Sequence, residues 1–405
     1  MRPAYEVAGV LQAHWEDVAS SGRYNTWQLR TLDAIRRCRT ATMGGHIDQC
    51  TSCGHLRISY NSCRNRHCPK CQNVQREKWI MAREDELLPV TYFHVVFTLP
   101  EALNEACLHH PKEIYDLLFH TAWSVIRDFG MDAKHLGAQT GAIMILHTWG
   151  QNLSLHPHLH CIVPGGGLTP QGKWKQAKSN GKFLFPVKAM SKVFRARFVA
   201  GLRKLFPELE QSLYDKLFKQ DWVVYAKQPF LGPKQVVEYL GRYTHKIAIS
   251  NHRLLSVTAD SVTFSYKDYR DAAKKKQMRL SPHEFIRRFA LHILPKGFVR
   301  IRHYGILSST RKVKDLPKVH TQLGSVMKQK QKQDWKAVAA TRLNFNPDEC
   351  PCCKKQTMQT VLAFDRRGPP DGWKQMFTPL DLVNKENKIG SRKNPTGFKL
   401  KKAAA

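Results

Sequence analysis

Residues 154–163 read SLHPHLHCIV, with His156, His158 and His160 at every second position of an otherwise apolar run. Side chains two apart on a β-strand point to the same face. The spacing therefore predicts a strand with imidazoles on one face and Leu159 and Cys161 turned into a core. Pro157 cannot donate to a ladder, which places this end of the strand at a sheet edge or in a frayed end. Two neutral imidazoles one strand repeat apart make an open-sided site for a divalent cation. A lone pair of strand histidines is more often structural, but three within five residues favour metal.

Outward from this strand, the texture is mixed. TYFHVVFTLP (91–100) is β-branched and aromatic, and GAIMILHTWG (141–150) is apolar, so both read as strands. The polar QNLS between the second of these and the histidine strand predicts an antiparallel hairpin. A helical stretch fills about 101–130. Downstream, KFLFPV reads as a strand, 191–219 as one long helix and DWVVYAKQPF (221–230) as a strand. GPKQVVEYLGRYTHK reads as a helix with Pro233 in its first turn. IAISNHRLLSVTADSVTFSYK reads as a pair of strands. Upstream, residues 5–40 read as two helices, 46–73 as a cysteine-rich loop, and VQREKWIMAREDELLP as a charged helix ended by Pro89.

The expected class is α+β, in three regions. Residues 1–90 form a helical, metal-binding module, 91–310 a domain built on an antiparallel sheet with flanking helices, and 311–405 a basic region. The final NKENKIGSRKNPTGFKLKKAAA has no apolar periodicity and is expected to be disordered.

Charge narrows the partners. The 405 residues carry 65 Lys and Arg against 32 Asp and Glu, a formal net charge of +33. Such an excess attracts polyanions, and nucleic acid is the first candidate. Residues 267–336 concentrate it, with 19 basic and 5 acidic side chains. No apolar run approaches the roughly 18 residues of a membrane helix. The first residues lack the apolar core of a signal peptide. A cytoplasmic, nucleoid-associated protein without a membrane partner is the expectation.

The 11 cysteines are an odd number in a chain expected in a reducing compartment, so metal is favoured over a disulfide framework. CTSCGHLRISYNSCRNRHCPKC contains Cys50-x2-Cys53 and Cys68-x2-Cys71, and two such knuckles predict one Zn²⁺ held by these four thiolates. Cys63 and His67 lie between them and either pack or serve as ligands. Arg64 and Arg66 either contact phosphate or are simply solvated. Cys350 and Cys353 form one more knuckle with no partner downstream. It is half of a site completed from elsewhere, or it binds nothing.

In EYLGRYTHK, Tyr239 and Tyr243 are four apart on a predicted helix, with Arg242 and Lys246 on the same face. Alone, the two tyrosines would read as a packing stripe. In order, however, SCRNRHCPKC, FHVVFTLP, HPHLHCIVPGGG, YLGRYTHKIAISN and FIRRFALHILPKGFVRIRHYG (285–305) resemble the two-tyrosine HUH rolling-circle transposases of bacterial insertion sequences. The likeness runs over about residues 10–310.

The resemblance implies an HUH-type sheet and a metal-dependent DNA strand transferase. His158 and His160 would hold Mg²⁺ or Mn²⁺ against the scissile phosphate of single-stranded DNA. Tyr239 or Tyr243 would attack it, leaving a 5′-phosphotyrosine and a free 3′-hydroxyl. Gln151 is the expected third ligand, with Asn152 and His156 as competitors. Arg287, Arg288, Arg300 and Arg302 would track the DNA backbone, with Tyr304 as a stacking platform. The implied partners are single-stranded transposon ends and target DNA, with self-association left open. A phenol with a pKa near ~10 is a weak nucleophile until charge on the phosphate is offset. A two-histidine site leans towards Mn²⁺ over Mg²⁺.

Three alternatives differ in kind. A rolling-circle replication initiator or relaxase would use the same chemistry. A zinc-bearing DNA-binding protein would have none. A metallo-hydrolase is disfavoured because no Asp or Glu occurs between 134 and 206.

Overall fold

The computed structural model describes residues 3–177, 184–230, 235–236, 241, 247–269, 271–327 and 334–377. Tyr239, Tyr243, Arg242, Lys246 and the C-terminal tail lie outside the described residues. The chain divides into two compact units, 1–77 with 332–405, and 78–331. This differs from the linear division at 90 and 310, because the C-terminal region folds back onto the first unit's sheet.

The first unit opens with helices Val7–Ala13, Trp15–Ser20 and Thr26–Arg36. The expected first helix is broken at His14. Asn25 and Gln28 form a reciprocal capping box that starts the third. The segment expected to be a cysteine-rich loop begins as a hairpin, β1 (Gly45–Cys50) and β2 (Leu56–Tyr60). The chain's last strand, β13 (Met358–Phe364), pairs antiparallel with the other edge of β1, giving the order β13-β1-β2. Ile47, Leu362 and Phe364 form its small core.

The second unit is built on a five-stranded antiparallel sheet. Its strands are β3 (Tyr92–Thr98), β4 (Gly141–Trp149), β5 (Leu155–Pro164), β8 (Val224–Phe230) and β12 (Ile301–Gly305). Their order is β12-β4-β5-β3-β8, so the histidine strand β5 is central. A hairpin of β6 (Gly166–Leu168) and β7 (Trp174–Gln176) and a sheet of β9 (Leu254–Val257), β10 (Val262–Asp268) and β11 (Lys274–Leu280) accompany it.

Strand periodicity sorts the two faces of the five-stranded sheet. Phe93, Val95 and Phe97, with Met144, Leu146, Leu159, Cys161 and Val163, pack in one buried cluster. Helices Pro111–Met131 and Val187–Leu205 cover it through Leu118, Phe119, Phe194 and Phe198. Each fully buried aromatic contributes roughly 2–3 kcal/mol. Tyr92, Ile143, Ile145 and Ile162 point the other way, into a second cluster with Leu88, Val236 and Val319. The histidines share this second face.

Three local expectations are corrected. In KFLFPV, Lys182 and Phe183 lie outside the described residues, Leu184 and Phe185 lie in a bend, and a helix starts at Val187, so the described part is not a strand. The long helix is two, Val187–Leu205 and Gln211–Lys219, because Pro207 disfavours helical geometry at Phe206. Pro157 is not at an edge. It sits where the β4–β5 register shifts between His147 and Trp149, and its carbonyl still accepts from Leu99 N at 3.0 Å. A register shift tolerates the missing donor as an edge does. Among the described residues no helix is long and apolar enough to cross a membrane.

Candidate functional site

His158 and His160 project from β5, and His147 projects from the neighbouring β4, where it is directly opposite His158. One ring nitrogen from each of the three lies within 4.8 Å of the others. His158 Nε2 and His160 Nε2 are 3.1 Å apart. Cis ligands at about 2.1 Å from an octahedral cation would be about 3.0 Å apart, so this pair fits a shared divalent ion.

Hydrogen bonds set the ring orientations. His158 Nδ1 lies 2.7 Å from the carbonyl of His156, so Nδ1–H donates and Nε2 keeps its lone pair. His160 Nδ1 is 2.9 Å from Nε2 of His94 on β3, and those two rings stack at 5.1 Å. Converging Nε2 lone pairs repel unless a cation or proton lies between them. Burial grades across the cluster: His147 is 3% and His160 8% exposed, whereas His158 is half-buried and His156 exposed. A ligand therefore reaches the cluster from the His158 side.

His147 and His94 were not singled out in the sequence. His147 sits in a strand buried at every position, so no alternation marks it. Gln151 lies in the β4–β5 turn, where its carbonyl accepts from Arg253. His156 contributes its carbonyl to the arrangement, with its ring 5.1 Å from that of His158.

The cysteines form two clusters, and neither is the one expected. Cys38, Cys63, Cys68 and Cys71 make the first, and Cys50, Cys53, Cys350 and Cys353 the second, with all four sulfurs of each within 4.8 Å. Observed contacts are 3.4 Å for Cys38–Cys71 and 3.7 Å for Cys63–Cys71. Four thiolates at about 2.3 Å from tetrahedral Zn²⁺ would be about 3.8 Å apart, so the first cluster fits the ion. The single site of Cys50, Cys53, Cys68 and Cys71 is thus replaced. The β1–β2 hairpin carries the first knuckle away from the second, and Cys38 and Cys63 complete the second knuckle's set. Cys63 is a member of the first set, whereas His67 is buried outside both sets.

A family described as "Transposase zinc-binding domain" matches residues 10–99, and one described as "Putative transposase" matches residues 141–314. The chain is 42% identical over 395 residues to "Putative transposase y4qJ" of Sinorhizobium fredii, covering 92% of this chain and 99% of that one. It is 27% identical over 370 residues to "Transposase for insertion sequence element IS801" of Pseudomonas savastanoi pv. phaseolicola, covering 86% and 87%. The chain belongs to the rolling-circle transposases of bacterial insertion sequences.

The transposase's basic side chains are unequally placed. Arg64 is exposed beside Cys63, with a left-handed backbone (φ 52°), and Arg66 is half-buried. Arg287 and Arg288 both bond Glu284, at 2.6 and 2.7 Å. These two bonds hold the Glu284 carboxyl down at about 2, against a smaller opposing effect of burial. Arg300 is 8% exposed, which withdraws it from the set expected to track DNA. Arg302 pairs with Asp116 and lies over Phe119 at 4.2 Å, so it is engaged inside the second unit. Tyr304 stacks on Trp123 at 5.2 Å, which commits one ring face to the protein.

Behind the histidine face, His292 bonds Thr148 Oγ1 and the Leu153 carbonyl, both at 3.2 Å. Leu153 holds a left-handed φ of 63°, and His292 fixes this strained turn between β4 and β5. Burial pushes the His292 imidazole down to about 4, against a small upward effect of that carbonyl.

Proposed function

We propose that this transposase cuts and rejoins single-stranded DNA at the ends of its insertion sequence through a 5′-phosphotyrosine. The reading rests on one observation above the others: imidazoles from β4 and β5 converge on one point of a central antiparallel sheet, with His158 Nε2 and His160 Nε2 3.1 Å apart. That arrangement supports an HUH-type site with His147, His158 and His160 as the ligands of Mg²⁺ or Mn²⁺. A cation bound there would offset negative charge at the scissile phosphate.

Tyr239 or Tyr243 supplies the nucleophile in this reading. The phenolic oxygen bonds to phosphorus and the bond to the 3′-oxygen breaks. The proton lost by the phenol is matched by one gained at the new 3′-hydroxyl. The phosphodiester energy stays in the tyrosine ester, so rejoining needs no nucleotide cofactor. Val236 and Gly241, described residues on either side of Tyr239 in sequence, support this reading. Val236 is fully buried in the cluster on the histidine face, and Gly241 packs on Ile80 of that same cluster. His94 acts as a positioning residue, orienting His160 through Nδ1. Arg64, Arg66 and Arg287 remain candidates for phosphate contact.

Incubation with a single-stranded transposon-end oligonucleotide and Mn²⁺, followed by denaturing electrophoresis, tests the reading. The wild-type chain should carry a DNA adduct that maps to the peptide holding Tyr239 and Tyr243. Tyr239→Phe with Tyr243→Phe should bind the oligonucleotide and form no adduct. Cleavage that persists in this double variant would falsify the nucleophile assignment.

A further inference from the structure

The zinc-binding match ends at residue 99 and contains six of the eight clustered cysteines. Cys350 and Cys353 lie beyond both matched segments. We propose that the chain holds two zinc ions, and that the second is bound by Cys50, Cys53, Cys350 and Cys353. The C-terminal segment is then a structural half of the zinc-binding unit.

Three observations carry this. The first is sulfur geometry. Cys50–Cys353 and Cys53–Cys350 are each 3.6 Å apart. That is far longer than the ~2.05 Å of a disulfide and close to the ~3.8 Å edge of a Zn–S₄ tetrahedron.

The second is backbone geometry, which the two knuckles share. In one, Cys50 N donates to His55 O and Gly54 N to Cys50 O, at 2.9 Å each. In the other, Cys350 N donates to Lys355 O at 2.8 Å and Lys354 N to Cys350 O at 3.0 Å. The residue after the second cysteine is left-handed in both, with φ 72° at Gly54 and 61° at Lys354. An L-residue such as lysine disfavours that region, where its Cβ crowds the following carbonyl oxygen. A turn kept in this form on a residue that disfavours it points to a constraint at the two sulfurs.

The third is support around the site. β13 pairs with β1 immediately beside the knuckles, ending at Cys50 opposite Met358. Thr51 N donates to Thr357 O at 3.0 Å, and Thr357 Oγ1 lies 3.0 Å from Cys50 Sγ. A hydroxyl donating to a thiolate is the usual outer support of such a ligand. Cys352 sits inside the same knuckle but is exposed and belongs to neither cluster, so it serves as an internal control.

Native mass spectrometry of the full chain, purified under reducing conditions without chelator, counts the ions. The measurement is made on His158→Ala, so that the histidine cluster adds no metal. Two zinc ions are expected. Adding Cys350→Ser and Cys353→Ser should leave one, and Cys352→Ser should leave two. If the double serine variant fails to fold, X-ray absorption on the parent chain decides: sulfur-only coordination at two ions per chain is expected. One zinc per chain, or Cys50–Cys353 and Cys53–Cys350 disulfides, overturns the proposal. Zinc content is read without any DNA cleavage, so its failure and failure of the cleavage reading are distinguishable.

Discussion

His147 faces His158 across the β4–β5 pair, and its ring stacks on Trp149 at 4.6 Å, which fixes its direction. If it is the third ligand, His147→Ala should reduce Mn²⁺-dependent adduct formation as severely as His158→Ala, by at least ~100-fold. Gln151→Ala should stay within a few-fold of wild type. The reverse ranking in a rate assay would return the third-ligand role to Gln151. Two other histidines act through protonation. His292 and His303 are both pushed down to about 4, chiefly by burial, and for His303 also by the charges of Arg83 and Lys312. Glu86 beside His303 opposes this weakly. Between about 4 and the ordinary value near 6.5, the unfolded chain binds more protons than the folded one. Stability from each is therefore complete above about 6.5 and lost as pH falls towards about 4, by up to ~3 kcal/mol. Denaturant midpoints at pH 7, 6 and 5 should fall in that order. His292→Gln should be less stable at pH 7 and show a shallower acid limb. An unchanged acid slope in that variant would remove His292 from the account.

Elements whose side-chain pattern is local were legible in the sequence. The strands containing FHVVFT, GAIMILHTW and LHPHLHCIV announced themselves by β-branching and by alternation, and Leu159 and Cys161 pack in the core as their parity requires. Elements that depend on a distant partner were not. Cys38 lies in the turn after the helix Thr26–Arg36 and lacks a C-x2-C neighbour, so nothing nearby ties it to Cys68 and Cys71. Pro157 looked like an edge signal, because a register shift in the partner strand is invisible from one strand alone. Gly305, at the end of β12, has a reason of the same non-local kind. Its φ is 59°, and a Cβ there would stand 2.0 Å from the Thr140 carbonyl oxygen and 2.7 Å from the Trp123 ring. Backbone cannot yield as a flexible side chain does. Gly305→Ala should therefore cost at least ~2 kcal/mol, from the left-handed penalty plus displacement of β4. A thermal midpoint unchanged within error would mean that the β12–β4 contact is looser than described.

At the scale of the whole molecule, the order of the chain and the order of its folding units diverge. The first unit is assembled from 1–77 and 332–405, with the second unit's 254 residues, 78–331, inserted between them. The two units also rely on different stabilisation. The second has a large apolar core on both faces of its sheet. Among the described residues, the first has Ile47, Leu362 and Phe364 buried under its three strands, with Leu56, Ile58 and Val361 half-buried against them, beside two four-thiol clusters. A core that small cannot offset the ordering entropy of three strands and their turns. Thiolate-bound zinc can, since binding free energy is folding free energy where no site exists in the unfolded chain. Stripping zinc from the full chain with a chelator and a thiol reagent should therefore be unit-selective. Hydrogen exchange should show β1, β2 and β13 losing protection together, although β13 is some 300 positions away in sequence from the other two. Amides of β3, β4 and β5 should keep theirs. Loss of protection at β1 and β2 with β13 unaffected would separate the C-terminal strand from the zinc-dependent unit. Loss across both units at once would show that the second unit's apolar core is insufficient without metal.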